Sequence, residues 1–320
     1  MAFKITKTAK SQRYDYLASK VGTVRAEAYA GAHPADEPAW LKAAARLSAH
    51  PAVTSRKPVF CAVHHPTLSA RVRRLGDFLS FAAEVSPALG RKIASEIKIQ
   101  AVTESNRIEG SKLQRADMDR IVRSPAKADT GNQDVRAALN GLQAMETLES
   151  PSFRLTVTSV LGLYLTASEG LLGPDGLPLS RGFRTDPAVV GLSQKATAAP
   201  GEIRARLSAL VKWANGPAKK LDPLEAAFRF HLDYESIHPF EDVNGRTGRM
   251  LMNWMIARAG STPVVVHMEN RTAYFGAIED ARGGRPKKYL QLMLEQAQKT
   301  YGRVVEKFGL GAYVDPAETT

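Results

Sequence analysis

The chain has 320 residues, is 44% hydrophobic and carries a formal net charge of +12, which allows a sizeable core in two domains, or in one large domain with extensions. Its single cysteine, Cys61, excludes an intrachain disulfide framework and fits a reducing, cytoplasmic compartment; no apolar run approaches ~20 residues, so no membrane span is expected, and the first residues lack the apolar core of a secretory signal. The basic residues are spread along the chain without zinc-finger spacing or a basic arm. That favours a basic surface with a site for an anionic nucleotide over a nucleic-acid interface.

Residues 1–68 read as an extension of short helices and loops. Helical character is expected over residues 26–32 and 40–47, the second stretch opened by Asp36-Glu37-Pro38. Pro51, Pro58 and Pro66 interrupt the chain after residue 47, and His64 and His65 have no metal-type spacing with the cysteine. From residue 69 the pattern turns helical, with Val72, Leu75 and Leu79 at three to four residues. Pro87 opens a second helix carrying Ile93, Ile97, Ala101 and Val102, and Gly110 suits the position just past its end. Ser105 and Glu109 lie four apart, hence on one face of that helix.

A polar break over residues 123–130 precedes helices expected at 135–148 and 154–172. Gly173-Pro174-Asp175-Gly176 then signals a turn. Residues 180–192 hold two β-prone pieces around Asp186-Pro187 and read as a hairpin. Helices are expected over 200–215 and 222–237, the latter with Asp222 as N-cap, Pro223 at its first position and an apolar stripe of Leu224, Phe228 and Leu232. His231 on this helix reads as a packed structural histidine.

The stretch His238-Pro239-Phe240-Glu241-Asp242-Val243-Asn244-Gly245-Arg246-Thr247-Gly248-Arg249 concentrates the chemistry. Pro239 biases His238 away from the α region, so His238 and Asp242 are not a helical pair. They sit on a loop feeding a helix that starts near Gly245 and carries Met250, Leu251, Trp254 and Met255 up to Gly260. The N–H groups at Asn244 and Gly245 form an anion site at the helix N-terminus. Arg246 and Arg249, three apart, offer guanidinium forks for phosphate. Asp242 suits Mg²⁺, and His238 can take a proton from a hydroxyl. These parts read as a nucleotide polyphosphate site with a general base. Beyond it, 263–266 is extended, 271–281 is a helix bearing Tyr274, Phe275 and Ile278, 283–288 is a basic loop, 287–305 is the last helix and the tail from Gly309 reads as disordered.

The twelve-residue stretch resembles the signature of the Fic family, His-Pro-Phe-x-Asp/Glu-Gly-Asn-Gly-Arg-x-x-Arg. Eleven positions fit; Val243 stands where the family usually has Gly. If φ at 243 is positive the β-branched Val is strained, and if it is negative Val supplies its N–H without strain; the sequence leaves both open, with a slight lean to the second. The resemblance implies an all-α Fic fold, a helical bundle with a small β-hairpin flap. It also implies an order of N-terminal extension (1–68), helical region with an inhibitory helix (69–125), Fic domain (126–308) and tail (309–320). It implies AMP transfer from Mg-ATP to a Ser, Thr or Tyr hydroxyl of a target protein, with His238 as base and Asp242 on Mg²⁺. Asn244, Gly245, Arg246 and Arg249 would bind the phosphates. Ser105-x-x-x-Glu109-Gly110 resembles the family's inhibitory motif. The hairpin resembles its target-binding flap, with Phe183, Arg184, Thr185, Val189 and Val190. Tyr274, Phe275 and Ile278 would wall the nucleobase, although core packing explains the two aromatics equally well. Arg282 falls where some relatives place an adenine-contacting Asn. Removal of AMP with Glu109 positioning water, another nucleotide or phosphoryl donor, a non-catalytic nucleotide-binding module, nucleic-acid binding driven by charge, and homo-oligomerisation stay open.

Overall fold

The computed structural model describes residues 1–9, 12–21, 24–32, 36–54, 65–190 and 195–315. Pro58, Cys61, His64, Gly191, Leu192 and residues 316–320 of the tail lie outside the described residues. In chain order the elements are β1 (Ala2–Ala9), β2 (Gln12–Val21), β3 (Val24–Ala32), α1 (Glu37–Ser48), α2 (Pro51–Thr54), α3 (Pro66–Val85), α4 (Pro87–Ile108), α5 (Arg115–Arg123), α6 (Gln133–Glu149), α7 (Val157–Ser168), β4 (Val189–Val190), β5 (Lys195–Ala196), α8 (Ile203–Asn215), α9 (Pro223–Ile237), α10 (Asn244–Arg258), α11 (Arg271–Arg282) and α12 (Lys287–Lys307). The chain divides into two compact units. One comprises Met1–Ile97, Ile256–Val264 and Leu294–Thr320; the other comprises Lys98–Met255 and Val265–Met293.

The first unit contains an antiparallel sheet in the order β1-β2-β3. This corrects the expectation of a helix over 26–32 and of an N-terminal extension without strands. Leu17 pairs with Ala28 and Ser19 with Ala26 on one face of the sheet. Ala26, Ala28 and Ala30 are buried while Arg25 and Tyr29 are exposed, a period of two. Alanine has high helix propensity, but pairing with β2 and burial of alternate residues override it. Helix α1 is capped by Asp36, whose Oδ1 accepts from Ala39 N at 2.8 Å, and it buries Trp40, Leu41 and Leu47. Helix α3 buries Val72, Leu75, Phe78 and Leu79, as their spacing predicts. In the tail, Gly311–Tyr313 forms a 3-10 turn, against the expectation of disorder there.

The second unit is a helical bundle with one small hairpin, the class expected from the sequence. Its core gathers Leu148, Phe153, Leu155, Leu163, Tyr164, Ile203, Leu207, Phe230 and Phe240. Each large apolar side chain buried there contributes about 1.5–3 kcal/mol. Helix α7 begins later than expected because Thr156 and Ser159 cap it reciprocally: Ser159 N donates to Thr156 Oγ1 at 3.0 Å and Thr156 N to Ser159 Oγ at 2.8 Å. Helix α9 starts as its sequence predicts, with Asp222 as N-cap and Pro223 in the first turn. The hairpin is displaced from its expected place. Val189 pairs with Ala196 and Val190 with Lys195, whereas residues 180–188 form no strand. No described helix is long and apolar enough to cross a membrane.

Candidate active site

Every candidate site residue lies in the second unit. Helix α9 ends at His238, which adopts the left-handed conformation (φ 50°, ψ 65°) and donates its N–H to Tyr234 O at 2.9 Å. The Pro239 ring disfavours the α region at His238, so the helix stops there.

Three groups pin that loop. Phe240 is fully buried, stacked on Tyr164 with centroids 3.8 Å apart and near Phe183 at 5.6 Å. The Asn244 side chain accepts from Phe240 N at 2.9 Å and donates to Phe240 O at 2.8 Å. Asn244 thus uses its amide to hold the loop and leaves its backbone N–H at the start of α10. Arg184 is the third pin. Its Nε donates to His238 O at 2.7 Å, its Nη1 to Asp186 O at 2.6 Å, its Nη2 to Thr197 Oγ1 at 2.8 Å and to Ala198 O, and its backbone N–H to Pro239 O at 3.0 Å. Phe183 and Arg184 were expected on a target-binding strand. Neither lies in a strand: Arg184 is buried with its guanidinium on these oxygens, and Phe183, partly buried, packs near Phe240. Thr185 bonds Asp186 Oδ2 at 3.3 Å, and Val189, in β4, is largely exposed.

Val243 has φ 64° and is buried, so of the two alternatives it takes the strained one, against the slight lean to a negative φ. The chain must reverse at this residue to enter α10, and Thr247 locks the reversal by donating its N–H and Oγ1 to Val243 O at 2.9 and 2.8 Å. A β-branched residue in this region stores ~1–3 kcal/mol of strain. Packing of its isopropyl group in the bundle core offsets it.

The first two turns of α10 carry both arginines. Arg246 Nη2 lies 3.4 Å from Asp242 Oδ2, and Arg246 Nε is buried without a hydrogen-bond partner, a donor left for a ligand. Asp242 is about half exposed. No group of three or more His, Cys, Asp or Glu converges as a metal site among the described residues. A Mg²⁺ ion ligated mainly by phosphates needs only one or two protein carboxylates, and Asp242 fits that donor set.

Arg249 is buried and fully engaged. Its Nε donates to Ser105 Oγ at 2.9 Å, and its Nη2 donates to Ser105 O at 3.1 Å and Glu109 Oε1 at 2.6 Å. Ser105, in the last turn of α4, and Glu109, just past its end, therefore meet Arg249 together, as their spacing predicts. That helix end is held by Met268 N, which donates to Glu104 Oε2 at 2.7 Å, and by Arg271 Nε, which donates to Ile108 O at 2.6 Å. Burial alone would lower the Arg249 pKa; the Glu109 carboxylate raises it further and keeps it above its ordinary value. Gly245 makes the meeting possible, because a Cβ there would collide with Glu109 Oε1 and lie 2.9 Å from Arg249 Nη1.

A buried hydrogen-bond chain runs on from Arg249. Tyr289 OH donates to Phe228 O at 3.0 Å, so it accepts from His231 Nδ1 at 2.9 Å. His231 Nε2 is then the acceptor for Tyr274 OH at 3.0 Å, and Tyr274 oxygen accepts from Arg249 Nη1 at 3.5 Å. Burial, then Arg249, lowers the His231 pKa to about 3, which agrees with this neutral tautomer. Tyr274 was expected to wall a nucleobase; it is fully buried and spends its hydroxyl on Arg249 and His231. Phe275 is half-buried beneath the Arg271 guanidinium and Ile278 is buried. Arg282 donates to Ala196 O at 2.8 Å and so ties β5 to α11.

Sequence reasoning missed Glu235. It lies 3.6 Å from His231 Nε2 through Oε1 and 3.9 Å from His238 Nδ1 through Oε2. Its signal was available: an acid three residues before the candidate base, on the same helical face. Burial, then the Arg184 and Arg282 charges, lowers the His238 pKa to about 4. Burial raises that of Glu235 to about 7.

Residues 160–256 match the Fic/DOC family. This region is a Fic domain. The chain is similar to two proteins named protein adenylyltransferase Fic. The one from Aedes aegypti is 27% identical over 237 residues, 72% of this chain and 46% of the relative. The one from Drosophila persimilis is 28% identical over 230 residues, 70% and 44%. The chain thus spans a little under half the length of these relatives. Among solved structures, a Fic domain containing signaling protein from Bacteroides thetaiotaomicron has a TM-score of 0.64 at 19% identity, covering 77% of this chain and 99% of its own. Fic-1 from C. elegans has a TM-score of 0.58 at 17% identity, covering 85% and 88%. These likenesses show the Fic fold around the His238 loop.

Proposed function

We propose that the chain is a protein adenylyltransferase that moves AMP from ATP to a Ser, Thr or Tyr hydroxyl of a target protein, and that Glu109 restrains it. The names of the similar proteins support the reaction class. The observation that carries the reading is the arrangement of His238, the α10 N-terminus and Arg246 around one loop, with Arg249 tied to Glu109.

In the reaction, His238 takes the proton from the target hydroxyl. The hydroxyl oxygen attacks the α-phosphorus, the bond to the bridging β-phosphate oxygen breaks, and pyrophosphate leaves. The N–H groups at Asn244 and Gly245 and the Arg246 guanidinium stabilise charge on the phosphates. Asp242 would hold a Mg²⁺ ion, which supplies charge neutralisation when bound. Arg249 orients the γ-phosphate once Glu109 releases it. The β4–β5 hairpin presents the target segment by strand addition, with Val189 exposed for contact. Phe275 and Ile278 line the base. The chain is soluble and cytoplasmic in this reading.

The test is incorporation of label from α-labelled ATP into the protein itself and into lysate proteins, in the Glu109→Gly background. Label that depends on His238 is the expected result. Label equal in His238→Ala overturns the assignment of the base, and no incorporation in Glu109→Gly overturns the reaction.

A further inference from the structure

Resting on that reading, one cluster remains unused. His238 Nδ1 and Glu235 Oε1 are both buried polar atoms without a hydrogen-bond partner. Such atoms are rare in folded proteins and call for a reason. Glu235 lies between two histidines, and its second oxygen is the acidic oxygen facing His238 Nδ1, at 3.9 Å. The His238 side chain is one-fifth exposed while Nδ1 is buried, so its accessible surface belongs to the rest of the side chain.

The sequence makes room for this carboxylate. A Cβ on Gly248 would lie 2.6 Å from Glu235 Oε1, so a glycine at 248 leaves the space that Glu235 fills. Glu235 and His238 are three apart at the end of α9, and the left-handed turn at His238 brings the ring back towards its own helix. Catalytic hydrogen bonds are often long in the free enzyme and tighten when substrate binds.

We propose that Glu235 is the positioning carboxylate of His238: its Oε2 accepts the Nδ1–H of the imidazole, which leaves Nε2 as the nitrogen that takes the substrate proton. A base oriented by a third group is the general form of an activated nucleophile pair. The arrangement also answers a weakness of the site. A histidine with a pKa of about 4 is a poor proton acceptor, and an ionised carboxylate against Nδ1 raises its basicity as the proton arrives. Glu235 ionises near pH 7, so its negative charge is present at neutral pH and above.

Other groups face Glu235 and enter its titration. His231 and His238 face it from its own segment, Arg249 from α10, Glu109 from α4, and Arg282 and Tyr274 from α11, with Tyr289 on α12. The two arginines favour the carboxylate, and Glu109 opposes it. Sites coupled this closely titrate as a group, so the readout must be tied to Glu235 by substitution.

The experiment uses the full chain with Glu109→Gly, with and without Glu235→Gln. The Gln keeps the shape and removes the charge. The expected result is a fall in kcat of ~10²-fold with KM for ATP within about two-fold, because Glu235 acts on the base and not on the phosphates. The rate of the Glu109→Gly protein should rise with pH as Glu235 ionises, at a pH below about 7 because the Glu109 charge that helps to raise the Glu235 pKa is gone, and that limb should vanish in Glu235→Gln. An unchanged kcat, or the same limb persisting in the Gln variant, overturns the proposal. Nitrogen-15 spectra of histidine in the protein without Glu235→Gln read the same claim without activity. They should show His238 protonated at Nδ1 and free at Nε2, and the reverse tautomer overturns it. Absence of any transfer in Glu109→Gly would strike the proposed reaction, while these spectra would still decide the Glu235 pair.

Discussion

Arg249 Nη2 donates to Glu109 Oε1 across 2.6 Å, and Gly245 is the residue whose missing side chain lets them meet. The pair joins the end of α4 to the first turns of α10. In the proposed reaction, it spends on a carboxylate the guanidinium that would engage the triphosphate.

Glu109→Gly should therefore raise self-labelling from α-labelled ATP by ~10²-fold, since an ångström-scale misplacement of the triphosphate costs that much. Glu109→Gln should activate in part, through loss of charge. Glu109→Gly combined with Arg249→Ala should be silent again. Equal labelling by the unsubstituted protein and Glu109→Gly would remove the inhibitory role.

Gly245→Ala should act on the same contact from the other side. The added methyl displaces Glu109 and crowds Arg249, so self-labelling should rise less than in Glu109→Gly, with weaker ATP binding. Calorimetric titration with ATP checks the second part. Undiminished affinity would show that Arg249 adapts freely.

Val243 tests the strained turn. Val243→Ala keeps the Cβ penalty at φ 64° and loses two buried methyl groups. Val243→Gly loses more packing but relieves the backbone. Ala should be the least stable of the three, by about 1–2 kcal/mol relative to Gly, as read by urea unfolding. A Gly variant less stable than Ala would show that packing, not φ, dominates.

Arg184→Ala should destabilise the second unit by about 3 kcal/mol or more and abolish transfer, because the carbonyls of His238, Asp186 and Ala198 lose their shared donor. Arg184→Lys should not rescue it, as an ammonium cannot span these acceptors in a fork. Full activity of the Lys variant would reduce Arg184 to a space-filling role.

Stability should depend on pH through one buried group, His231, and two partly buried ones, Glu235 and His238. His231 and His238 have pKa values of about 3 and about 4 in the fold, below the ordinary 6.5, so their contribution is lost as pH falls below 6.5. Glu235, raised from 4.5 to about 7, contributes with the opposite sign: its share is full below 4.5 and is lost as pH rises through 7. Between pH 4.5 and 6.5 the unfolded chain takes up two protons at the histidines while the folded chain holds one at Glu235. The net loss is ~1.4 kcal/mol per pH unit. Glu235→Gln removes the opposing proton and should double that slope in urea titrations; an unchanged slope would mean that Glu235 is ionised in the fold.

Much of the site was legible because its information is local. The order His238, Asp242, Arg246, Arg249 on a loop entering a helix follows from Pro239 and from helical spacing, and Ser105 and Glu109 share a face by the same rule. Asp222-Pro223 marks the start of α9 through capping chemistry that acts over three residues. The features that the sequence left undecided depend on partners far along the chain. Residues 26–32 became a strand because β2 offered hydrogen bonds that helix propensity could not foresee. The φ at Val243 was set by the reversal into α10 and by Thr247. Arg184 turned inward because carbonyls more than fifty residues away lie within its reach. The Tyr274 hydroxyl reaches Arg249 because a chain through His231 and Tyr289 fixes its orientation. Glu235 gained its place only where Gly248 leaves space against it. Local rules determine which residues form helices and turns; the pairing of buried polar groups across the bundle decides what each side chain does, because only tertiary packing brings a donor and an acceptor out of water together.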